Sequence, residues 1–185
     1  ILSSEDKEII AIAGQWGCEV PFVRPLELAQ DNVTGIEPVL HALKNISGRY
    51  DYFILLQPTS PLRTVEDIDG CIEKCLHSNA PACVTVTEPD KSPLWMFYLD
   101  DKALLHPVVR QKNRKLLRQE LDSIYALNGS VYVAKANWFK KNKKFISRNT
   151  VAYIMPKERS IDIDTELDLR ICHALVSEKN CRSHD

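Results

Sequence analysis

Asp162-Ile163-Asp164 sets two carboxylates two residues apart. In an extended segment such residues point the same way, so both acids face one side while Ile161 and Ile163 face the core. Like charges that close repel, and the pair wants a cation. Hard carboxylate oxygens suit Mg2+, which usually also holds substrate phosphates. Capping of a final helix by Asp164 or Thr165 is the competing reading, although a cap needs one acidic residue rather than two on one side. A second candidate is the turn Gln57-Pro58-Thr59-Ser60-Pro61-Leu62-Arg63, which follows the apolar run Tyr52-Phe53-Ile54-Leu55-Leu56. A continuous apolar run reads as a strand buried on both faces of a helix-covered parallel sheet. Ligands of such sheets sit at the carboxyl ends of the strands, which places Gln57, Thr59, Ser60 and Arg63 where a ligand would be. The two prolines stiffen the turn. An ordinary strand-to-helix turn with a Thr cap is the alternative there.

Two arginines extend the anionic-ligand reading. Arg24 is fixed by Pro25, and Arg118 precedes the segment Asn128-Gly129. A guanidinium is a fork matched to carboxylate or phosphate, although each arginine alone is most often a surface ion-pair residue. Taken together, these residues point to phosphoryl or nucleotidyl transfer at a Mg2+–phosphate site.

The elements that must position them follow from periodicity. Apolar spacing predicts helices over Asp6–Trp16, Thr34–Lys44, Thr64–Ser78, Trp138–Phe145 and Thr165–Ser177. The last has Leu167, Ile171, Ala174 and Leu175 as its inner stripe. Short runs predict strands at Ile1-Leu2, Tyr52–Leu56, Ala82–Val86, Val131–Ala134 and Val151–Met155, with a short extended piece at Glu19–Val23. The first half therefore reads β-α-β-α-β-α-β, the order of a parallel sheet wound with helices. From Pro89 to Leu127 the rhythm breaks into an excursion, part hairpin around Asp100-Asp101 and part amphipathic arm with the basic run Arg110–Arg118. Exposed apolar residues on such an arm mark a partner surface, whereas the basic run, Arg118 excepted, reads more simply as a solvated loop.

The chain has 185 residues, 44% of them hydrophobic, and a net charge of −1. That suits one soluble domain and argues against nucleic acid or an anionic membrane as the main partner. No apolar run approaches the ~20 residues of a membrane span, and no signal peptide is visible. Six scattered cysteines without a C-x-x-C pair read as reduced thiols in a cytoplasmic protein. Ile1 begins the chain in what looks like the middle of a strand, so a missing N-terminus is expected.

Leu55-Leu56-Gln57-Pro58-Thr59-Ser60-Pro61-Leu62-Arg63 resembles the hallmark of the acylneuraminate cytidylyltransferases, the CMP-sialic acid synthetases. Arg24-Pro25-Leu26-Glu27-Leu28-Ala29-Gln30-Asp31 is similar to their R-P-x-E-L-A-x-D segment. Arg118-Gln119 with Asn128-Gly129 and Tyr132 resembles their R-Q … N-G-x-x-Y, and Ser160-Ile161-Asp162-Ile163-Asp164-Thr165 resembles their S-I-D-I-D-T. The resemblance covers nearly the whole chain. It implies a three-layer α/β fold with a mainly parallel, Rossmann-like sheet of the nucleotide-diphospho-sugar transferase type. It also implies a single domain over 1–185 and a protruding dimerisation arm over 89–127 that reaches a second subunit. The implied reaction transfers CMP from CTP to a nine-carbon 2-keto acid sugar and releases pyrophosphate.

The same resemblance distributes roles. Asp162 and Asp164 would hold Mg2+. Gln57, Thr59 and Ser60 would line the sugar pocket, with Tyr132 and Phe145 as its wall. Arg118 would pair with the sugar carboxylate, and Asn128 would serve the junction of sugar and nucleotide. Arg24, Asp31, Val33 and Gly35 would lie on the cytidine side. CTP and an acidic sugar are the implied substrates and a homodimer the implied assembly. Two departures stand out. The family opens with a strand and a basic loop, R-x-G-S-K-x-x-x-x-K-N, that cradles the triphosphate. This chain lacks both, which predicts that as given it is inactive or very weak. Gly35 and Ile146 stand where many members have a hydroxyl residue and an aromatic, and Lys91–Met96 differs from the sialic acid enzymes in a way that suits legionaminate or pseudaminate. Two other readings remain: activation of an eight-carbon keto acid, against which Gln57–Arg63 argues, and a truncated remnant serving as a binding or dimerisation module.

Overall fold

The structure is a computed structural model that describes residues 1–109 and 123–182. A side-chain cap starts the first helix. The Asp6 carboxylate accepts from the N–H groups of Glu8 and Ile9, at 2.8 and 3.0 Å, and helix α1 runs Lys7–Gln15. Helix α2 spans Ile36–Asn45 with Val39 and Leu43 buried, and Pro38 falls within its first turn, where a missing N–H costs nothing. Helix α3 spans Val65–His77, α4 Ala136–Asn142 and α5 Glu166–Arg182. The strands are β1 (Tyr52–Leu56), β2 (Ala82–Thr87), β3 (Phe97–Leu99), β4 (Leu105–Pro107), β5 (Ala126–Lys135) and β6 (Val151–Ile154).

Four strands form one sheet in the order β1-β5-β2-β6. The Ala136 N–H, just past β5, donates to the Asp51 carbonyl just before β1 (2.8 Å). The Lys135 N–H donates to the Pro81 carbonyl just before β2 (2.9 Å). The end of β5 thus lies at the starts of both its neighbours, and β5 runs against them. The Met155 N–H, just past β6, donates to the Val86 carbonyl near the end of β2 (2.8 Å), so β2 and β6 run together. The sheet is therefore mixed, with β1, β2 and β6 in the common direction and one reversed strand between β1 and β2.

The expected hairpin is present. β3 and β4 pair antiparallel with Tyr98 opposite His106, and Asp100 Oδ1 accepts from the N–H groups of Lys102 and Leu104 to close the turn. Tyr98, Leu99, Leu104 and Leu105 stand exposed on it. No strand forms at Ile1-Leu2 or at Glu19–Val23; the Leu2 N–H instead makes a single bond to the Glu19 carbonyl. The inner face of α5 also differs from expectation. Leu167 and Ile171 are exposed while Cys172 is buried, so the covered stripe is Asp168, Cys172 and Leu175.

By its contacts the chain divides into two compact units. The first comprises Ile1–Leu55, Ile72–Cys83 and Tyr132–Val151. Its interior is apolar: Val39, Leu43, Cys75, Cys83, Val133, Phe139 and Phe145 are buried, and Phe53, Tyr132, Phe139 and Phe145 stack with ring centroids 4.6 to 5.9 Å apart. The second comprises Leu56–Cys71, Val84–Val131 and Ala152–Asp185. Its interior is polar as well as apolar. Ser60, Asp67, Thr85, Asn128 and Ser130 are buried there beside Leu62, Cys71, Val131 and Met155. Polar groups enter a core at a cost unless they are bonded, so this concentration marks where function is to be sought. α3 comes close to β6 because Gly70 has no side chain: a Cβ there would lie 2.3 Å from the Tyr153 ring.

Cys71, Cys75, Cys83 and Cys172 are buried, and burial pushes the thiols of Cys75 and Cys172 above their ordinary pKa. None of the helices described is long and apolar enough to cross a membrane.

Candidate active site

β1 delivers the turn Gln57–Arg63 within the second unit. The turn closes with the Ser60 N–H on the Gln57 carbonyl (3.3 Å) and is anchored by buried Leu62 and Ser60. Arg63, which the sequence placed where a ligand would be, is taken up by main-chain carbonyls. It donates to the Gln57 carbonyl (2.7 Å) and to the Ser130 carbonyl of β5 (2.9 Å), bracing the turn from behind. Burial lowers its pKa without a carboxylate to offset the effect. Gln57 is half-buried and Thr59 exposed, both available from solvent.

The acidic segment is pinned at several points, each by a different group. Arg159 holds its start, with Nε to Asp67 Oδ2 at 2.7 Å and Nη2 to Asp67 Oδ1 at 2.8 Å. Ser160 Oγ accepts from Asn128 Nδ2 at 2.9 Å. Between the two acids, the Ile163 N–H donates to the Thr59 carbonyl at 2.8 Å and ties the segment to the turn. Beyond them, Thr165 and Asp168 cap α5. The N–H and hydroxyl of Thr165 donate to Asp168 Oδ2 at 2.8 and 2.7 Å, and the Asp168 N–H returns to the Thr165 hydroxyl. Those bonds hold the Asp168 carboxyl below its ordinary pKa.

The cap of α5 is therefore made without the side chains of Asp162 or Asp164. Asp162 is half-buried, and its Oδ1 is shut off from solvent with no hydrogen-bond partner. Asp164 is exposed. Residues 161–164 pair with no strand, so the alternation expected of a β-strand survives only as half-covered Ile161 and Ile163. Among the described residues no group of three or more His, Cys, Asp or Glu is placed to hold a metal. A shielded carboxylate oxygen with nothing to neutralise it is costly. It suits a hard cation that takes one or two protein carboxylates and completes its shell from phosphates and water.

Asn128 opens β5 with its amide fully engaged. Oδ1 accepts from the Thr85 hydroxyl (2.6 Å) and the Ser130 N–H (3.2 Å), while Nδ2 donates to Ser160 Oγ and to the Met155 sulfur (3.3 Å). The residue is 5% exposed, and its amide has no bonding capacity left for a ligand. Its amide reaches the acidic segment through Ser160. Next to it, Gly129 has φ +72°. A Cβ at this position would lie 2.6 Å from Gln57 Oε1, 3.3 Å from Asp162 Oδ2 and 3.6 Å from Ser60 Oγ. Gln57, Ser60 and Asp162 thus converge over a bare stretch of main chain that only glycine provides.

The remaining expected residues belong to the first unit. Arg24 donates through Nε to Glu5 Oε2 at 2.9 Å, and this pairing lowers the Glu5 pKa. Asp31 is exposed in a turn closed by the Val33 N–H on the Gln30 carbonyl, and Gly35 stands at the N-terminus of α2. Tyr132 and Phe145 are in ring contact at 4.9 Å. Arg118 lies outside the described residues. Sequence reasoning missed three residues that the second unit makes central: Asp67, Arg159 and Thr85. Thr64-x-x-Asp67 carried a signal, being the spacing of a helix cap, and the Thr64 N–H does donate to Asp67 Oδ2 at 2.9 Å. Nothing in the sequence announced the second use of that carboxylate by Arg159.

No protein-family profile matches the chain. Over 181 residues it is 32% identical to CMP-N,N'-diacetyllegionaminic acid synthase of Legionella pneumophila, covering 95% of this chain and 77% of that protein. Over 198 residues it is 31% identical to N-acylneuraminate cytidylyltransferase of Escherichia coli, covering all of this chain and 43% of that protein. Pseudaminic acid cytidylyltransferase of Campylobacter jejuni is 27% identical over 179 residues, with 95% and 76% covered. Among solved structures, a CMP:2-keto-3-deoxy-manno-octonic acid synthetase complexed with CTP aligns at a TM-score of 0.66 and 11% identity, covering 96% of this chain and 80% of that one. The 4-diphosphocytidyl-2C-methyl-D-erythritol synthase of Anaerococcus prevotii aligns at 0.59 and 12%, covering 92% and 78%. The fold is the α/β fold of these nucleotidyltransferases. The chain belongs to the acylneuraminate cytidylyltransferase family, the group of CMP–acidic-sugar synthetases to which the Legionella and Escherichia relatives belong.

Proposed function

We propose that this protein transfers CMP from CTP to the anomeric hydroxyl of a nine-carbon 2-keto acid sugar, with Mg2+ and with release of pyrophosphate. The observation that carries this reading is the shielded, unpartnered Oδ1 of Asp162 beside Gly129, where Gln57 and Ser60 also converge. Asp162 and Asp164 would hold the ion, which when bound screens phosphate charge and favours ionisation of the sugar hydroxyl. The protein's own part is placement. Gln57 and Thr59 offer an amide and a hydroxyl to the sugar from a turn that Arg63 holds rigid. Gly129 lets Gln57, Ser60 and Asp162 close in on the main chain from one side. Arg159 and the Ile163 N–H keep the acids at a fixed height over that floor. Arg118 pairs with the sugar carboxylate in this reading.

The exposed Tyr98, Leu99, Leu104 and Leu105 of the β3–β4 hairpin support a homodimer. The buried thiols of Cys75 and Cys172 support a reducing, cytoplasmic setting. The test is pyrophosphate release from CTP and Mg2+ by the full gene product, with N-acetylneuraminate, legionaminate, pseudaminate and the eight-carbon Kdo in parallel. Turnover with one nine-carbon sugar, lost in Asp162→Asn, is expected. Folded protein inactive on all four would leave a binding or dimerisation module.

A further inference from the structure

We infer that Thr85 is a positioning residue for this reaction: through the amide of Asn128 it sets where Ser160, and with it the Asp162 segment, is held. The inference rests on the cytidylyltransferase reading above. Thr85 lies on β2 and is 1% exposed, so it touches no substrate. The Val131 N–H donates to its Oγ1 at 2.9 Å. The single hydroxyl proton then goes to Asn128 Oδ1 at 2.6 Å, the alternative acceptor, the Val131 carbonyl, being at 3.2 Å.

The Ser130 N–H also donates to Asn128 Oδ1. Both polar neighbours of that oxygen are donors, so a reversed amide would set donor against donor. Nδ2 is therefore turned to Ser160 Oγ, whose own proton passes to the Pro156 carbonyl at 2.8 Å. The relay runs in one direction from β2 to the residue two before Asp162. Without the Thr85 hydroxyl only the Ser130 N–H holds Oδ1, and the preference of the amide for this orientation weakens. The Oδ1 atom of Asp162 has no hydrogen bond to locate it, so its position depends on the main chain that this relay holds.

The test uses Thr85→Val, which keeps the shape and removes the hydroxyl, and Thr85→Ser, which keeps the hydroxyl. Two readouts are taken on the full gene product. One is hydrogen exchange of the Ile163 amide, which is bonded to the Thr59 carbonyl; the other is kcat and sugar KM for CMP transfer. Thr85→Val is expected to speed Ile163 exchange and to lower kcat, each by about tenfold, the scale of one buried hydrogen bond. Sugar KM should stay within about twofold, and Thr85→Ser should restore both. Wild-type exchange and kcat in Thr85→Val would overturn the inference. So would equal damage in Thr85→Ser, which would reduce Thr85 to packing. If Thr85→Val does not fold, Ser160→Ala cuts the same relay at its other end, and normal Ile163 protection there would be equally fatal. A wild-type protein that transfers CMP to none of the sugars defeats the cytidylyltransferase reading, while Ile163 exchange still decides whether the relay holds the segment.

Discussion

Arg159 lays two guanidinium nitrogens on the two carboxylate oxygens of Asp67, a residue with no solvent exposure that lies 92 positions earlier in the chain. The same carboxylate receives the N–H and hydroxyl of Thr64 at the start of α3. One buried acid therefore begins a helix and anchors the acidic segment.

Removing it should be costly. Asp67→Ala leaves Arg159 without its partner, and we expect a loss of roughly 3 kcal/mol in denaturant unfolding, the low end for a broken buried pair because Arg159 keeps some solvent. The acid dependence follows from the pKa. Burial pushes the Asp67 carboxyl up, but its bonds to Arg159 and Thr64 outweigh that and leave it below its ordinary value. The contribution is then fully present above the unfolded carboxylate pKa near ~3.9 and is lost as pH falls through the lower folded value. The stability gap between wild type and Asp67→Asn should narrow between about pH 4 and pH 2. A gap that widens on acidification would contradict the pairing.

Asp162 should show the opposite balance of stability and activity. Its Oδ1 is shielded and unpartnered, so Asp162→Asn relieves an uncompensated charge. We expect an unchanged or higher Tm together with a loss of kcat on the order of a hundredfold or more. A lower Tm with retained turnover would show that the carboxylate is structural.

Gly129→Ala tests the bare floor. The positive φ costs a side chain about 1 kcal/mol, and the new Cβ would meet Gln57 Oε1 at 2.6 Å. Gln57 is flexible and can swing away, so the fold should survive while sugar KM rises. Wild-type KM in a folded Gly129→Ala protein would remove Gln57 from the sugar site.

Phe145 was expected to line a sugar pocket, yet it is only 8% exposed and contacts Phe53, Tyr132 and Phe139. Phe145→Ala should cost about 3–5 kcal/mol as a core truncation. Full stability with altered sugar preference would return it to the wall of a pocket.

Most helices and strands were legible because their apolar periods are clean. α5 was legible as a helix but not in its rotation. Leu167, Leu169, Ile171, Leu175 and Val176 go round the cylinder, and Cys172 takes the buried position. The reversal of β5 was invisible for a related reason. Alternating strands and helices imply a parallel sheet, and a strand reached through a long excursion carries no mark of its direction. The acidic pair and the Gln57–Arg63 turn were legible from residue type. What Arg63 and Arg159 bind was not, since a guanidinium serves a carbonyl, a carboxylate or a ligand equally well and only packing chooses.

The link between the Ile163 N–H and the Thr59 carbonyl is main chain to main chain. Side chains at either position can change without breaking it. The spacing between the two halves of the site is thus independent of the groups they display, which leaves such a scaffold free to diverge in the sugar it accepts while the geometry of the transfer is inherited intact.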